Sequence, residues 1–319
     1  MIKKIAVLTS GGDAPGMNAC VRSVIRTCLY HGIEPYVVYD GFNGLIKGDL
    51  VKVDKKFTQD IINRGGTIIL TSRLPEFTDV ELQKRAIQNL KNAEIDALIG
   101  IGGDGTFKGL RDLSVLGFPI IGIPATIDND VASTDKTIGF DTALNTICGC
   151  VDKIKDTSSS HQRCSVIEVM GRHCGDLAIF SSIAEAAELT ITFDHRTSEA
   201  KIFKKLKEMH DRDKGHAIVI VSERLMDVKE FAKKIEKETG FETRAEILGR
   251  LQRGGIPTAE DRILASRFGA TAVDLLRHGF FGRVIGIKKN AVVDFDIEQA
   301  LQMERDIHRN LINLIDILQ

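Results

Sequence analysis

Short apolar runs alternate along the chain with stretches of helical periodicity. KIAVLT is followed by NACVRSVIRTCLY, where Met17, Val21, Val24, Ile25, Cys28 and Leu29 share one face. DALIGI precedes TFKGLRDLSVL, FPIIGIP precedes DTALNTICGCVDKIKD, and HAIVIVS precedes VKEFAKKIEKETG. Apolar runs rich in β-branched residues predict strands, and apolar positions three and four apart predict helices. Strand alternating with helix predicts an α/β protein whose parallel sheets are covered on both faces. Ligands of such sheets gather at the carboxyl ends of the strands, so the loops there hold the candidate chemistry.

The 319 residues, 43% hydrophobic with only 6 Pro, suffice for a real core, and the length alone suggests about two domains. No repeat with a period of ~20–50 residues is visible. SGGDAPG at 10–16 and IGGDGTFKG at 101–109 echo one another. The sole low-complexity patch, Ser158-Ser159-Ser160, is too short for a linker, so the domains are expected to be joined by several chain crossings. With 43 basic and 44 acidic side chains, nothing points to a nucleic-acid surface. No apolar stretch approaches the ~18 residues of a membrane span. MIKKIAVLTSGGD has lysines ahead of apolar residues, as a leader would, but IAVL is short and reads as a first strand. Neither nucleic acid nor a membrane is expected as a partner. Cys20, Cys28, Cys148, Cys150, Cys164 and Cys174 are scattered, and read as small buried hydrophobes of a reducing, cytoplasmic protein.

Glycine lets the backbone approach a phosphate, and a helix N-terminus behind it adds the positive end of a dipole. Gly11-Gly12 stand before one predicted helix and Gly102-Gly103-Asp104-Gly105-Thr106 before another. Neither stretch fits GxxxxGK[ST] or GxGxxG. One Gly-Gly after a strand is ordinary turn chemistry; two, each with an Asp, point to a nucleotide phosphate site. Asp104 is a candidate Mg2+ ligand, since that ion takes one or two carboxylates plus substrate phosphates. Its alternative role is to cap the following helix. PATIDND, residues 124–130, is a third loop of this type, with Thr126, Asp128 and Asp130. Phosphoryl transfer to an alcohol needs donors on the transferring group and a carboxylate to take the hydroxyl proton. An Asp with a pKa near ~4 is a weak base, adequate when the proton leaves late. From this loop alone, a solvated Asx turn and a catalytic pair are equal readings.

Arginines recur in Gly- or Ser-rich settings: Arg73 in TSRLPEF, Arg163 in SSSHQR, Arg172 in VMGRHCGD, Arg244 in FETRAE, and Arg250 and Arg253 in GRLQRGG. Singly each reads as a surface residue. Together they suggest a second, phosphate-bearing ligand, because the guanidinium fork suits phosphate. Arg22 and Arg26 lie four apart on the first helix, where like charges repel slightly. They form either a solvated face or an anionic effector site.

TSGGDAPGMN, INRGGT, SRLPEF, IGGDGT, PATIDND, TIGFDTALNT, DTSSSHQR, EVMGRHCGD and LQRGG, in this order and spacing from residue 1 to about 290, resemble the bacterial ATP-dependent 6-phosphofructokinases. The resemblance implies two Rossmann-like three-layer α/β/α domains with mostly parallel sheets. Residues 1–138 with 251–300 would form a larger ATP-binding domain, and 139–250 with 301–319 a smaller domain for fructose 6-phosphate. The implied reaction moves the γ-phosphoryl of MgATP to the sugar's 1-hydroxyl, giving ADP and fructose 1,6-bisphosphate in glycolysis. Asp128 matches the base, with Thr126, Arg172 and Arg73 acting on the transferring group. Gly12, Arg73, Leu74, Gly103, Asp104, Gly105 and Thr106 match the nucleotide site, with Asp104 on the metal. Thr126, Ile127, Asp128, Met170, Gly171, Arg172, Glu223, Arg250 and Arg253 match the sugar site. Arg163 and Arg244 match arginines that reach a neighbouring subunit's sugar phosphate in a homotetramer with shared active sites. Arg22, Arg26, Lys55, Asp60, Lys155, Arg212, Lys214 and His216 match an effector site for ADP or GDP as activator and phosphoenolpyruvate as inhibitor.

This chain departs from the family pattern at several positions. Position 250 is Arg in place of the usual His, 106 is Thr in place of Ser, and 155 is Lys in place of Arg. Glu185 and Ala186 replace glycines near the effector positions, and Glu185 brings an acid to a site meant for anions. A weak response to phosphoenolpyruvate and ADP is therefore expected. The pyrophosphate-dependent relatives carry Asp at position 105 and Lys at 125; Gly105 and Ala125 favour ATP. GGDGT also occurs in NAD and lipid kinases, which lack SRLPEF, MGRHCGD and QRGG. A non-catalytic nucleotide-binding regulatory subunit is the alternative from another class, and a dinucleotide oxidoreductase lacks its fingerprint here.

Overall fold

In the computed structural model, residues 2–212 and 214–318 are described; the expected domain ends at residues 1 and 319 lie outside them. The chain divides into two compact units, Met1–Thr142 with Arg253–Arg305, and Ala143–Gln252 with Asp306–Gln319.

The first unit begins β1 (Lys4–Thr9), α1 (Met17–Tyr30), β2 (Glu34–Val38), α2 (Gly41–Lys47) and β3 (Leu50–Lys52). It continues α3 (Val80–Asn92), β4 (Ala97–Gly102), α4 (Asp104–Val115) and β5 (Ile120–Pro124). Helix α5 (Phe140–His161) starts in this unit and runs into the second, which holds β6 (Cys164–Val169), α6 (Asp176–Ala184) and β7 (Leu189–Ile191). There follow α7 (Glu199–Asp211), β8 (Ala217–Ser222), α8 (Val228–Thr239) and β9 (Thr243–Ile247). The chain returns to the first unit with α9 (Ala259–Arg277), β10 (Arg283–Lys288), β11 (Ala291–Asp296) and α10 (Ile297–Gln302), and ends in the second with α11 (Arg309–Leu318).

The first unit's sheet has the order β11-β10-β5-β4-β1-β2-β3. Its five inner strands are parallel, and the edges β3 and β11 are antiparallel to their neighbours. β4 is buried along its whole length, as a strand covered on both faces must be. One face packs Leu8, Leu98 and Ile120 against Phe42, Phe77, Phe107 and Leu110. The chain leaves β1 toward β2 on one side and returns to β4 on the other, so the order reverses between β1 and β4. That reversal opens a crevice at the strands' carboxyl ends.

The second unit's sheet, β7-β8-β6-β9, is wholly parallel. Val166, Val219 and Val221 pack there against Ile202, Leu206, Phe231 and Ile235. The predicted helix VKEFAKKIEKETG is α8. Asp227 caps it by accepting from the N–H groups of Lys229 and Glu230, and Gly240, at φ 74°, ends it. α5 runs on through the three serines taken for a low-complexity patch; Ser158 is buried and its hydroxyl lies 2.7 Å from that of Ser165. The antiparallel edges and the hairpin of β10 and β11 stood outside the predicted alternation.

Four cysteines, Cys20, Cys28, Cys164 and Cys174, are buried as expected, but Cys148 and Cys150 are only half-buried. The expectation of six buried hydrophobes is corrected there, because both sit on a partly exposed stretch of α5. No helix among the described residues is long and apolar enough to cross a membrane.

Candidate active site

At the reversal in the first unit, the loops after β1, β4 and β5 are bonded to one another. The Ser10 N–H donates to the Ile101 carbonyl at 3.0 Å, and the Ala125 N–H to the Gly102 carbonyl at 3.0 Å. The Thr106 hydroxyl donates to the Ser10 carbonyl at 3.1 Å. TSR joins the cluster: the Gly11 N–H donates to the Ser72 carbonyl, and the Thr71 hydroxyl returns a bond to the Gly11 carbonyl at 3.0 Å. A side chain on Gly102 would come within 2.5 Å of the Ser10 carbonyl oxygen, so this approach needs glycine. A Cβ on Gly103 would meet Thr126 at 3.8 Å, which puts the head of α4 beside PATIDND.

Gly103 occupies the cap position of α4, so Asp104 is its first helical residue and not its cap. Its half-buried carboxylate stands where a helix N-terminus favours anions. Among the described residues no group of three or more His, Cys, Asp or Glu forms a metal cage. One hard carboxylate beside an anion-binding helix end fits Mg2+ held mainly by substrate phosphates. Gly105 is exposed, with open space where a Cβ would stand. Arg73 is exposed and Leu74 half-buried. Arg253, expected with the sugar, lies along the first loop: its Nη1 donates to the Asp13 carbonyl at 3.3 Å, and a Cβ on Gly12 would be 2.5 Å from that nitrogen.

Within PATIDND the Thr126 hydroxyl accepts from the Asp128 N–H at 3.2 Å. Asp128 is 7% exposed, Ile127 is fully buried in the core, and Asp130 is half-buried. Asn129 takes φ 52°, and its Oδ1 accepts from the Thr137 N–H at 3.0 Å.

In the second unit the strand ends are likewise drawn together. The Met170 N–H donates to Gln252 Oε1 at 3.0 Å, and Gln252 Nε2 donates to the Gly249 carbonyl. The Arg172 N–H donates to Glu223 Oε1 at 2.9 Å, and the Glu223 N–H to the Val169 carbonyl. Arg172 is held at φ 58°, in the left-handed region that costs a non-glycine residue energy and that persists at functional sites. Gly171, at φ 130°, is obligatory because a Cβ would stand 2.5 Å from the Cys174 carbonyl. Burial, with Glu223 and Asp227 nearby, raises the Glu168 carboxyl above its usual range. Arg163 and Arg244 both bond Glu242, Arg163 at 2.8 Å, and Arg244 also approaches Glu236 at 3.5 Å. Arg250 is exposed.

The residues matched to an effector site divide between the units. Arg22, Arg26, Lys55 and Asp60 belong to the first, where Arg26 Nε donates to Thr58 Oγ1 at 2.6 Å and Thr58 bonds the Lys55 carbonyl. Lys155, Arg212, Lys214 and His216 belong to the second. There Lys155 pairs with Glu185 at 2.8 Å and bonds its carbonyl, and Lys214 pairs with Glu188 at 2.5 Å. The sequence reading missed Gln252, Asn129, Glu242 and Glu188. Gln252 stands inside the quoted QRGG and Asn129 inside PATIDND, but a buried amide that braces a backbone carries no sequence signal of its own.

The sequence matches the phosphofructokinase family over residues 4–276. An ATP-dependent 6-phosphofructokinase of Photobacterium profundum is 53% identical over 319 residues, covering all of both chains. The structure of phosphofructokinase from Saccharomyces cerevisiae aligns at a TM-score of 0.87 and 34% identity over 99% of this chain. This chain spans 47% of that longer one, about half its length. A pyrophosphate-dependent phosphofructokinase from Marinobacter aquaeolei aligns at 0.88 over 97% of this chain and 86% of its own, at 21% identity, a likeness of fold alone.

Proposed function

The chain belongs to the phosphofructokinase family, and on that premise we infer that it is an ATP-dependent 6-phosphofructokinase. It transfers the γ-phosphoryl of ATP to the 1-hydroxyl of fructose 6-phosphate, giving ADP and fructose 1,6-bisphosphate. The observation that carries the residue assignment is the closure of the loops after β1, β4 and β5 onto one another, with Thr126 against Gly103.

Asp128 takes the proton of the sugar hydroxyl. Asp128 is nearly buried; a carboxylate is in general a weak base toward an alcohol and becomes adequate as the new P–O bond forms. The backbone of Gly11-Gly12 and of Gly103-Gly105, with the N-terminus of α4, receives the nucleotide phosphates, and Arg73 and Leu74 border them. Asp104 would hold Mg2+, which neutralises charge on the phosphates when bound. Thr126 and Arg172 stabilise the transferring group. Met170, Gly171, Glu223, Arg250 and Arg253 serve the sugar, whose phosphate Arg163 and Arg244 reach from a neighbouring subunit of a homotetramer. Gly105 and Ala125 leave the phosphoryl donor site to ATP, in place of the Asp and Lys of pyrophosphate-dependent relatives. The larger domain serves ATP and the smaller one the sugar, and the enzyme works in the cytoplasm.

ADP or GDP and phosphoenolpyruvate are the proposed effectors, acting weakly because Lys155 is already paired with Glu185. A strongly sigmoidal sugar-saturation curve that ADP abolishes would contradict that weakness. A coupled assay offering ATP or pyrophosphate as donor, and fructose 6-phosphate or NAD as acceptor, tests the function. Turnover with pyrophosphate or NAD in preference to ATP and the sugar phosphate would overturn it.

A further inference from the structure

Helix α5 begins at Phe140, behind a Gly139 that has no side chain with which to cap it. Gly139 cannot be replaced by a capping residue: it takes φ 103°, and a Cβ there would stand 2.7 Å from that of Ala14. The missing cap comes from α9. Asp261 Oδ1 accepts from the Gly139 N–H at 2.8 Å, and Oδ2 accepts from the Thr142 N–H at 2.8 Å and the Thr142 hydroxyl at 2.5 Å. Thr142 Oγ1 in turn accepts from the Thr258 N–H at 3.0 Å, at the head of α9. Asp261 is 1% exposed. Three donors converge on its two oxygens, so an amide in its place would turn an NH2 group toward one of them.

The residues just before Gly139 hold the Asp128 loop. Thr126 N–H donates to the Ile138 carbonyl at 3.0 Å, and Ile138 N–H donates to the Pro124 carbonyl at 3.2 Å. The Thr137 hydroxyl donates to the Thr126 carbonyl at 2.6 Å, and the Thr137 N–H to Asn129 Oδ1. Both flanks of Asp128 are thus pinned to residues 137 and 138, and the next residue is pinned to Asp261.

We propose that Asp261 is a positioning residue for the reaction: through Gly139 and Thr142 it fixes the segment that fixes Thr126 and Asp128. The assignment rests on the reading of Asp128 as the base. Misplacement of a reacting group by about 1 Å costs on the order of 10²-fold in rate, so a loosened brace is read in kcat.

The test is a double-mutant cycle on the full-length enzyme with amide hydrogen exchange beside it. Asp261→Asn is expected to lower kcat about 10- to 100-fold, with KM for ATP and fructose 6-phosphate changed less than about threefold. In an Asp128→Asn background the same substitution is expected to cost several-fold less, because only Thr126 is left to position. Exchange at Thr126 and Gly139 should quicken in Asp261→Asn. Equal losses in both backgrounds, or a raised KM with kcat intact, would overturn the proposal. So would a fall in kcat with exchange at Thr126 unchanged. If Asp128→Asn alone keeps near wild-type turnover, the base assignment has failed. The positioning role then stands or falls on the exchange at Thr126. Should Asp261→Asn not fold, Thr142→Val removes the hydroxyl's bond to Asp261 and the one it accepts from the Thr258 N–H, and the same cycle and exchange are read with it.

Discussion

The two units build their loop clusters from different materials. In the first, hydroxyls, glycines and backbone groups bond one another: Thr106 to Ser10, Thr71 to Gly11, Thr137 to Thr126. In the second, the loops after the strands are likewise held by backbone and side-chain bonds, Met170 to Gln252 and Arg172 to Glu223, but several of its predicted basic residues are paired with carboxylates: Arg163 and Arg244 with Glu242, Lys155 with Glu185, Lys214 with Glu188. The first arrangement leaves N–H groups and a helix end to meet phosphate without displacing a charge. In the second, an incoming anion competes with a carboxylate already in place, and the outcome depends on salt.

The comparison breaks most visibly at Asp128. Asp128→Asn should lower turnover about 10²- to 10⁴-fold in the coupled assay, and a variant near wild-type rate would remove the chemistry from the first unit. Next in size is Asp261, bonded to Gly139 and Thr142 just behind the segment that holds that cluster. Burial, with Asp141 adding to it, raises the Asp261 carboxyl to about 6 from the ordinary 3.8, against the opposing hydrogen bonds from Thr142 and Gly139. With its folded value raised, the folded state binds the extra proton, so stability falls as pH climbs from about 4 to about 6. The stability of wild type relative to Asp261→Asn should therefore shrink over that window by up to about 3 kcal/mol, read from urea midpoints at either end. A difference independent of pH would show that the three donors outweigh burial.

Gly102→Ala tests how close the first unit's loops must approach. The added methyl would stand 2.5 Å from the Ser10 carbonyl oxygen. A loss of about 1–3 kcal/mol in denaturant stability is expected, with activity falling alongside. Unchanged stability would mean that the cluster is looser than its hydrogen bonds imply. The smallest effect belongs to the second unit. Glu185→Gln removes the charge that opposes an anion at the half-buried Lys155 while leaving its bond to the residue-185 carbonyl, and the affinity for ADP should rise by about 0.5–1 kcal/mol, most at low ionic strength. An ADP titration that does not move would show that the ion pair is no competitor.

Much of this was legible in the residues. KIAVLT, DALIGI and FPIIGIP are β1, β4 and β5, with their loops at the carboxyl ends, because period and side-chain shape are local properties. The helix after the third strand was legible too, though not that it runs on through Ser158-Ser159-Ser160. What stayed hidden were pairings that join distant parts of the chain. Nothing in the sequence ties Asp261 to Gly139, 122 residues away, or gives Arg163 and Arg244 one shared carboxylate in Glu242. Nor could two of the six cysteines be told from the other four, since burial depends on what packs over α5.

By itself, the order of apolar runs, glycines and acids determined an α/β chain with phosphate-type loops at its strand ends. Backbone periodicity and glycine's conformational freedom act within a few residues, so they can be read in one dimension. Only the tertiary structure decided which loops close on one another, that the Thr126 hydroxyl accepts from the Asp128 N–H, and that Arg163 and Arg244 share Glu242. Those outcomes follow from the order of the strands and from burial, which bring together groups that no local pattern relates.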